Sequence, residues 1–227
     1  MGHARFVGPH RLIVGEHTEV IADRIVIATG SRPNVPSMFS DAKDRLVVND
    51  DIFSWDDLPE SVAVFGPGII GLELGQALSR VGVRIRLFGV RGGIGGIRDE
   101  KIRDYALKTF GEEFPLSAKA ETKRIERTEK GVQITWVEDG QEHKDTFEYL
   151  LAATGRRPNI DNLDIQNAGI ELDDRGMPDV DPNTMRCSDS HIFLVGDVNN
   201  ERPLLHEAAD EGRIAGDNAG SWPDVRA

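Results

Sequence analysis

The sequence predicts an α/β protein in which a parallel sheet is combined with an antiparallel meander. Three observations lead there. A glycine-rich loop, "VFGPGIIGLELG", joins a short apolar run to a helical pattern and is followed by a second apolar run, "VRIRLFG". Two stretches of short extended runs each feed a strand that ends in Thr-Gly, "IVIATGSRPNVP" at 25–36 and "LLAATGRRPNI" at 150–160, which is the nearest approach to an internal repeat. A last apolar run, "HIFLVGD", precedes a final helical segment.

Taken in order, "ARFV", "RLIV" and "EVIADRIVIATG" are separated by Gly-Pro and Gly-Glu breaks and read as a small antiparallel meander feeding a buried strand. The Pro- and Asp-rich stretch from Ser31 to Glu60 has no clear period and reads as connection. "SVAVFG" is a buried strand, and Ile69, Leu72, Leu74, Ala77, Leu78 and Val81 recur at helical spacing after it. After "VRIRLFG", residues 98–110 form a second helix with Ile102, Tyr105, Ala106 and Phe110 on one side. Three further extended runs between Ala118 and Gly155 make a second meander that ends in a strand. Residues 162–190 are irregular, "HIFLVGD" is a strand ending at Gly196-Asp197, and 203–219 is a helix.

Composition limits the function classes. With 39 acidic against 27 basic residues the formal charge is −12, which repels phosphate backbones and anionic lipid, so neither nucleic acid nor a membrane surface is an expected partner. Any bound phosphate must be held locally. Cys187 is the only cysteine, which excludes an internal disulfide, a redox pair and a cysteine-rich metal site within these residues; no metal is expected. It reads as a packed or surface thiol. No apolar run approaches the roughly 18 residues of a membrane span, and "MGHARFVGPHR" lacks the apolar core of a secretory signal. The expectation is a soluble, cytoplasmic protein.

Gly66, Gly68 and Gly71 form G-x-G-x-x-G between a strand and a helix. The first glycine permits a tight turn, the second lets a pyrophosphate approach the backbone, and the third lets helix and strand pack closely. With Pro67, Ile69 and Ile70 they make a cradle whose helix N-terminus faces the phosphates. The carboxylate expected about 20 residues on, to hold the ribose of NAD, is missing, because that place reads Phe88-Gly89-Val90. Arg84, Arg86, Arg91 and Arg98 follow in this region, and an arginine suits a 2′-phosphate. Arg84 and Arg86 alternate with apolar residues and read as cover for a solvated face, so Arg91 is the better candidate. The third glycine leans toward NAD; NADP stays open.

The order of "IVIATGSRPNVP", "VFGPGIIGLELGQALSRVG", "LLAATGRRPNI", "HIFLVGD" and "LLHEAADEGRIAG" resembles the pyridine nucleotide-disulfide oxidoreductases, and among them the dihydrolipoamide dehydrogenases most. The resemblance covers almost the whole sequence and implies a Rossmann-like NAD(P)-binding domain at 59–154, inserted in an incomplete FAD-binding domain of the same type at 1–58 and 155–227. The family's N-terminal redox-cysteine half and C-terminal interface domain lie outside the resemblance. By the same resemblance Gly66 to Gly71 hold the NAD pyrophosphate and Gly155 lies near the nicotinamide end. Thr29, Gly30 and Ser31 touch FAD at a domain crossing, and Gly196 and Asp197 meet the flavin's ribityl chain. Leu204, Leu205 and His206 lie along the flavin ring, although His206 also reads as a helix-start residue that only packs. Glu73 takes the place of a carboxylate beside the nicotinamide; the alternative is a carboxylate in the first helical turn that stabilises the helix dipole.

The implied activity is hydride transfer between a nicotinamide dinucleotide and FAD, with a disulfide as the further electron acceptor. This sequence is expected to be a central portion of such an enzyme and inactive by itself, the intact enzyme being a homodimer that docks on a 2-oxoacid dehydrogenase complex. Two alternatives are the same scaffold with another acceptor (mercuric ion, another disulfide, a quinone or an iron–sulfur protein) and a non-catalytic NAD(H)-sensing module.

Overall fold

The computed structural model describes residues 2–227. Along the chain run β1 (Ala4–Gly8), β2 (Arg11–Val14), β3 (Thr18–Ile21), β4 (Ile25–Ile27), β5 (Ser31–Pro33), β6 (Leu46–Val47), β7 (Ser61–Phe65), α1 (Ile69–Arg80), β8 (Arg84–Phe88), α2 (Glu100–Glu113) and β9 (Leu116–Ser117). Then follow β10 (Glu121–Thr128), β11 (Gly131–Glu138), β12 (Gln141–Phe147), β13 (Tyr149–Ala152), β14 (Arg156–Pro158), β15 (Ile192–Leu194) and α3 (Leu205–Ser221). These elements form two compact units, Pro33–Arg156 and the remainder, Met1–Arg32 with Arg157–Ala227.

The Pro33–Arg156 unit has three layers. Its central sheet is parallel throughout, in the order β6-β13-β7-β8-β9. Side chains alternate across a strand, and both faces are buried, which is why "SVAVF" is apolar at nearly every position. Val62, Val64, Ile85, Leu87 and Leu151 pack with Leu78 of α1 and with Phe114 just past α2. Ala63, Phe65, Phe88, Leu150 and Ala152 face the other way, into a core with Ile125, Val132, Ile134, Trp136 and Phe147 of the β10-β11-β12 meander. The meander thus occupies the place of a second helical layer. Phe65 stacks on Phe88 with ring centroids 4.7 Å apart, and Phe88 meets the edge of Trp136 at 5.1 Å.

Several expectations need correction here. Residues 33–58 are more than connection: Phe39 and Ala42 are buried in the core beneath the meander, and β6 adds an edge strand beside β13. On α2, Ala106 and Phe110 face inward as expected, together with Leu107, whereas Ile102 and Tyr105 are exposed. On α1, Leu72, Leu74 and Leu78 face inward, but Ile69, Ala77 and Val81 do not. Arg84 is exposed, as expected of a residue on a solvated face, whereas Arg86 is half-buried. Their side of β8 lies under the meander, where Arg84 stacks over Phe147 and pairs with Asp145 at 2.8 Å, and Arg86 stacks over Trp136 and donates to Ser117.

The second unit contains the antiparallel sheet β1-β2-β3 and the parallel pair β4-β15. Phe6, Ile27, Ile165, Ile192 and Leu194 share one core, while Phe193 and Val195 turn to Ala215 of α3. The expected burial of β4 holds only for Ile27; Val26, on the α3 side, is 42% exposed. Among the described residues no helix is long and apolar enough to cross a membrane, and no cluster of three or more His, Cys, Asp or Glu could hold a metal ion.

Candidate dinucleotide site

From β7 the chain runs outward through β8 to β9 and then returns to the opposite flank of β7 as β13. In open parallel sheets such a reversal opens a crevice beyond the carboxyl ends of the two strands. Gly66 ends β7 there with φ +109°, and a Cβ on it would lie 2.2 Å from the Ala153 carbonyl oxygen, at the end of β13. At Gly71 a Cβ would lie 1.9 Å from the Gly66 carbonyl oxygen. Both positions therefore admit only glycine. Gly68 differs, since a Cβ there would meet nothing within 4 Å.

Gly68 is also the N-cap of α1 and has no side chain with which to cap it. The first backbone hydrogen bond from within the helix is Leu72 N–H to the Gly68 oxygen, at 3.0 Å. The N–H groups of Ile69, Ile70 and Gly71 consequently lack acceptors inside the helix, and no acidic residue stands in the first turn. Three aligned donors and about half a positive charge of dipole make a receptor for an anion. Pro67 closes one side, where Gly95 N–H donates to its carbonyl oxygen at 2.7 Å. Gly89 lies against it: a Cβ at Gly89 would come within 2.7 Å of Pro67 Cγ.

The fold thus gathers Gly66–Gly71, Gly89 and Ala153–Gly155 at the carboxyl ends of β7, β8 and β13. Gly155 has φ +100° and open space where a Cβ would be. Glu73 is the fifth residue of α1, exposed, and without a hydrogen bond or ion pair among the described residues. It stands beyond the first turn, so the alternative of a first-turn carboxylate supporting the dipole is corrected. Arg91, also exposed, follows the end of β8 and has no ion pair among the described residues.

In the other unit Ser31 donates to Asp197 Oδ2 at 2.8 Å across 166 residues of sequence. Thr29 donates to the Asn159 carbonyl oxygen at 2.7 Å, and Asn159 N–H donates to the oxygen of Gly30 at 2.9 Å. Gly196, with φ +71°, packs so closely on α3 that a Cβ would stand 3.4 Å from that of Ala208. Leu204, Leu205 and His206 open α3 and are exposed, Leu205 by 90%. The motif-matched residues 29–31 and 196–197 are thereby joined, with α3 beside them.

Sequence reasoning missed the polar residues that hold these turns. Buried Glu211 accepts from Gly196 N–H at 2.6 Å and from Asn199 Nδ2 at 2.8 Å. Asp161 binds Arg32 and Arg157, and its carboxyl is lowered to about 2, first by the hydrogen bond from Arg32 and then, against some desolvation, by that from Arg157. Asn34 and Asn159, at matched places in the two Thr-Gly repeats, were the one available signal. Cys187 is fully buried, and its thiol is pushed up to about 12 by burial and by nearby Asp179, which suits a packing residue.

The class defined by the sheet order, the meander layer and the glycine-built turn is a Rossmann-like α/β protein of two units. A sequence model described as pyridine nucleotide-disulphide oxidoreductase matches residues 1–212, and the chain belongs to that family. It is 29% identical over 220 residues to a dihydrolipoyl dehydrogenase of Vibrio parahaemolyticus, covering 94% of this chain and 46% of the relative. To a soluble pyridine nucleotide transhydrogenase of Photorhabdus laumondii it is 33% identical over 219 residues, covering 94% of this chain and 46% of that one. In fold it is similar to the HOCl-induced flavoprotein disulfide reductase RclA from Escherichia coli, solved as a Cu(II) complex, with a TM-score of 0.83 at 23% identity over 99% of this chain and 51% of that one. The chain spans about half the length of the curated relatives it matches.

Proposed function

We propose that the turn Gly66–Gly71 holds the diphosphate of a nicotinamide dinucleotide, and that the protein takes part in hydride transfer between that coenzyme and FAD. The observation that carries this reading is the uncapped start of α1: three N–H donors at a sheet reversal, shaped by two glycines that tolerate no side chain. The backbone at Gly68 is open to a ligand, so the residues present fit the group. On this reading the nicotinamide domain at 59–154 lies within the compact unit Pro33–Arg156, and the other unit belongs to the flavin side.

When bound, FAD supplies the ring that exchanges hydride with nicotinamide. The chain's own residues then have separable tasks. The α1 N–H groups fix the diphosphate, and Gly155 leaves room for the nicotinamide end. Glu73, exposed on the same helix, would stand beside the nicotinamide. Gly196, with its left-handed φ, would let backbone approach the flavin, and Asp197, oriented by Ser31, would accept from its ribityl hydroxyls. Leu204, Leu205 and His206 offer the first turn of α3 to the ring.

The electron acceptor in this reading is a disulfide, in keeping with the family description. The transhydrogenase relative supports a second reading, in which electrons pass between two pyridine nucleotides. Calorimetric titration of this chain with NADH and with NADPH tests the site. At least one binds, and Gly68→Val, whose side chain enters the open space, abolishes it; failure of both coenzymes to bind the folded chain overturns the reading.

A further inference from the structure

We infer that the site prefers the 2′-phosphorylated coenzyme, NADP(H), and that Arg91 with Lys119 receives the 2′-phosphate. The inference rests on the nucleotide reading above and extends it to the adenosine ribose.

The end of β8, where a carboxylate would bind both ribose hydroxyls, cannot carry one. A Cβ on Gly89 would lie 2.7 Å from Pro67 Cγ and 3.0 Å from the Ala118 oxygen, so no side chain fits. The backbone is fixed as well: Gly89 N–H donates to the Ser117 oxygen, Ala120 N–H to that of Gly89, and Gly92 N–H to that of Ala118. What the next turn presents instead is positive. Arg91 is exposed and, among the described residues, makes no ion pair; the stem of Lys119, also exposed, lies along Gly92, its Cε 2.7 Å from where a Cβ would be.

Of the other charges nearby, Arg84, Arg86, Asp99 and Glu138 are engaged, and Arg98 lies further along the loop. Arg86 and Glu138 meet on the hydroxyl of Ser117, which accepts from the first at 2.9 Å and donates to the second at 2.8 Å, so each offsets the other. Asp99 caps α2 by accepting from Ile102 N–H at 3.0 Å, and Arg84 is held by Asp145. A phosphomonoester carries about −1.5 to −2 charges at neutral pH, and a planar guanidinium matches its oxygens in a bidentate manner. On a chain of net charge −12, a local basic pair is needed to hold it.

The third glycine, read from sequence as a sign of NAD, carries no such information. Gly71 is glycine because any Cβ would collide with the Gly66 oxygen. That requirement comes from the closeness of helix and strand and is the same for either coenzyme.

Equilibrium titration of the 227-residue chain with NADPH and NADH at low and moderate salt tests the inference. NADPH binds at least about tenfold more tightly, the margin narrows with added salt, and 2′,5′-ADP displaces it better than 5′-AMP. Arg91→Gln lowers NADPH affinity about tenfold more than NADH affinity, and Lys119→Gln does so to a smaller degree. Equal affinities, tighter NADH, or a loss of both coenzymes in equal measure in Arg91→Gln overturns this inference and leaves the dinucleotide site standing. Binding of neither coenzyme removes both.

Discussion

Thr29 donates its hydroxyl to the carbonyl oxygen of Asn159 at 2.7 Å, and its counterpart in the other repeat, Thr154, donates to the carbonyl oxygen of Asn34 at 2.6 Å. The backbone repeats the exchange: Asn159 N–H donates to Gly30, and Asn34 N–H donates to Gly155, each at 2.9 Å. In each unit the Thr-Gly of one repeat therefore grips the Asn of the other. Both threonine bonds are exposed to water, so each contributes near the lower end of the usual 0.5–1.5 kcal/mol. Thr29→Val and Thr154→Val should each lower stability in urea by about 0.5 kcal/mol, and the serine variants should restore it. Equal losses from serine and valine would place the effect in the methyl group instead.

The parts of this fold that were legible in the sequence are those imposed by local sterics. G-x-G-x-x-G was readable because Gly66 and Gly71 answer steric requirements of the backbone, and the Thr-Gly repeats because their residues recur in order. On α2 the expected face was right for Ala106 and Phe110 but took in exposed Ile102 and Tyr105, which look apolar, and left out Leu107; periodicity gives a face but not its contact. β6 has two residues and so no period. Glu211 was invisible for another reason: it serves Gly196 from 15 residues away, and its side chain follows no pattern that charge alone would show.

The glycines of the loop separate folding from binding. Gly71→Ala pushes a methyl group into the Gly66 oxygen, and the helix must move from the sheet to admit it. The expected result is a thermal midpoint several degrees lower together with lost coenzyme binding, read by scanning calorimetry and titration. Gly68→Ala meets no protein atom, so its midpoint should stay within about a degree while affinity for the dinucleotide falls at least about tenfold. A Gly68→Ala chain that binds as well as the parent would remove the diphosphate from this turn.

Acid should weaken the unit that holds Asp161. Its carboxyl is lowered from 3.8 to about 2, mainly by Arg32 and also by Arg157. A depressed carboxylate contributes stability that is present above its unfolded value and is lost as pH falls through its folded value, here between about pH 4 and 2. The pair with Arg32 is more than a third exposed, so screening keeps the contribution below about 1 kcal/mol. Asp161→Asn should therefore be slightly less stable than the parent at pH 7, and the two urea midpoints should converge near pH 2. A constant difference across that range would mean that packing, not charge, is lost.

Glu211 should matter more than any exposed pair. Its buried Oε2 receives both the Gly196 N–H and the Asn199 side-chain N–H, which fixes the left-handed turn from which Asp197 meets Ser31. Removing the carboxylate strands two donors, and an unsatisfied buried donor costs about 1–3 kcal/mol. Glu211→Ala should lose about 2–4 kcal/mol in urea unfolding. Glu211→Gln retains an oxygen that can accept both bonds and should lose about half as much or less. Because Ser31 and Asp197 depend on the same turn, Glu211→Ala should also abolish any gain in stability on adding FAD, at temperatures where the variant is still folded. Glutamine and alanine variants of equal stability would mean that the carboxylate fills space at this corner without holding it.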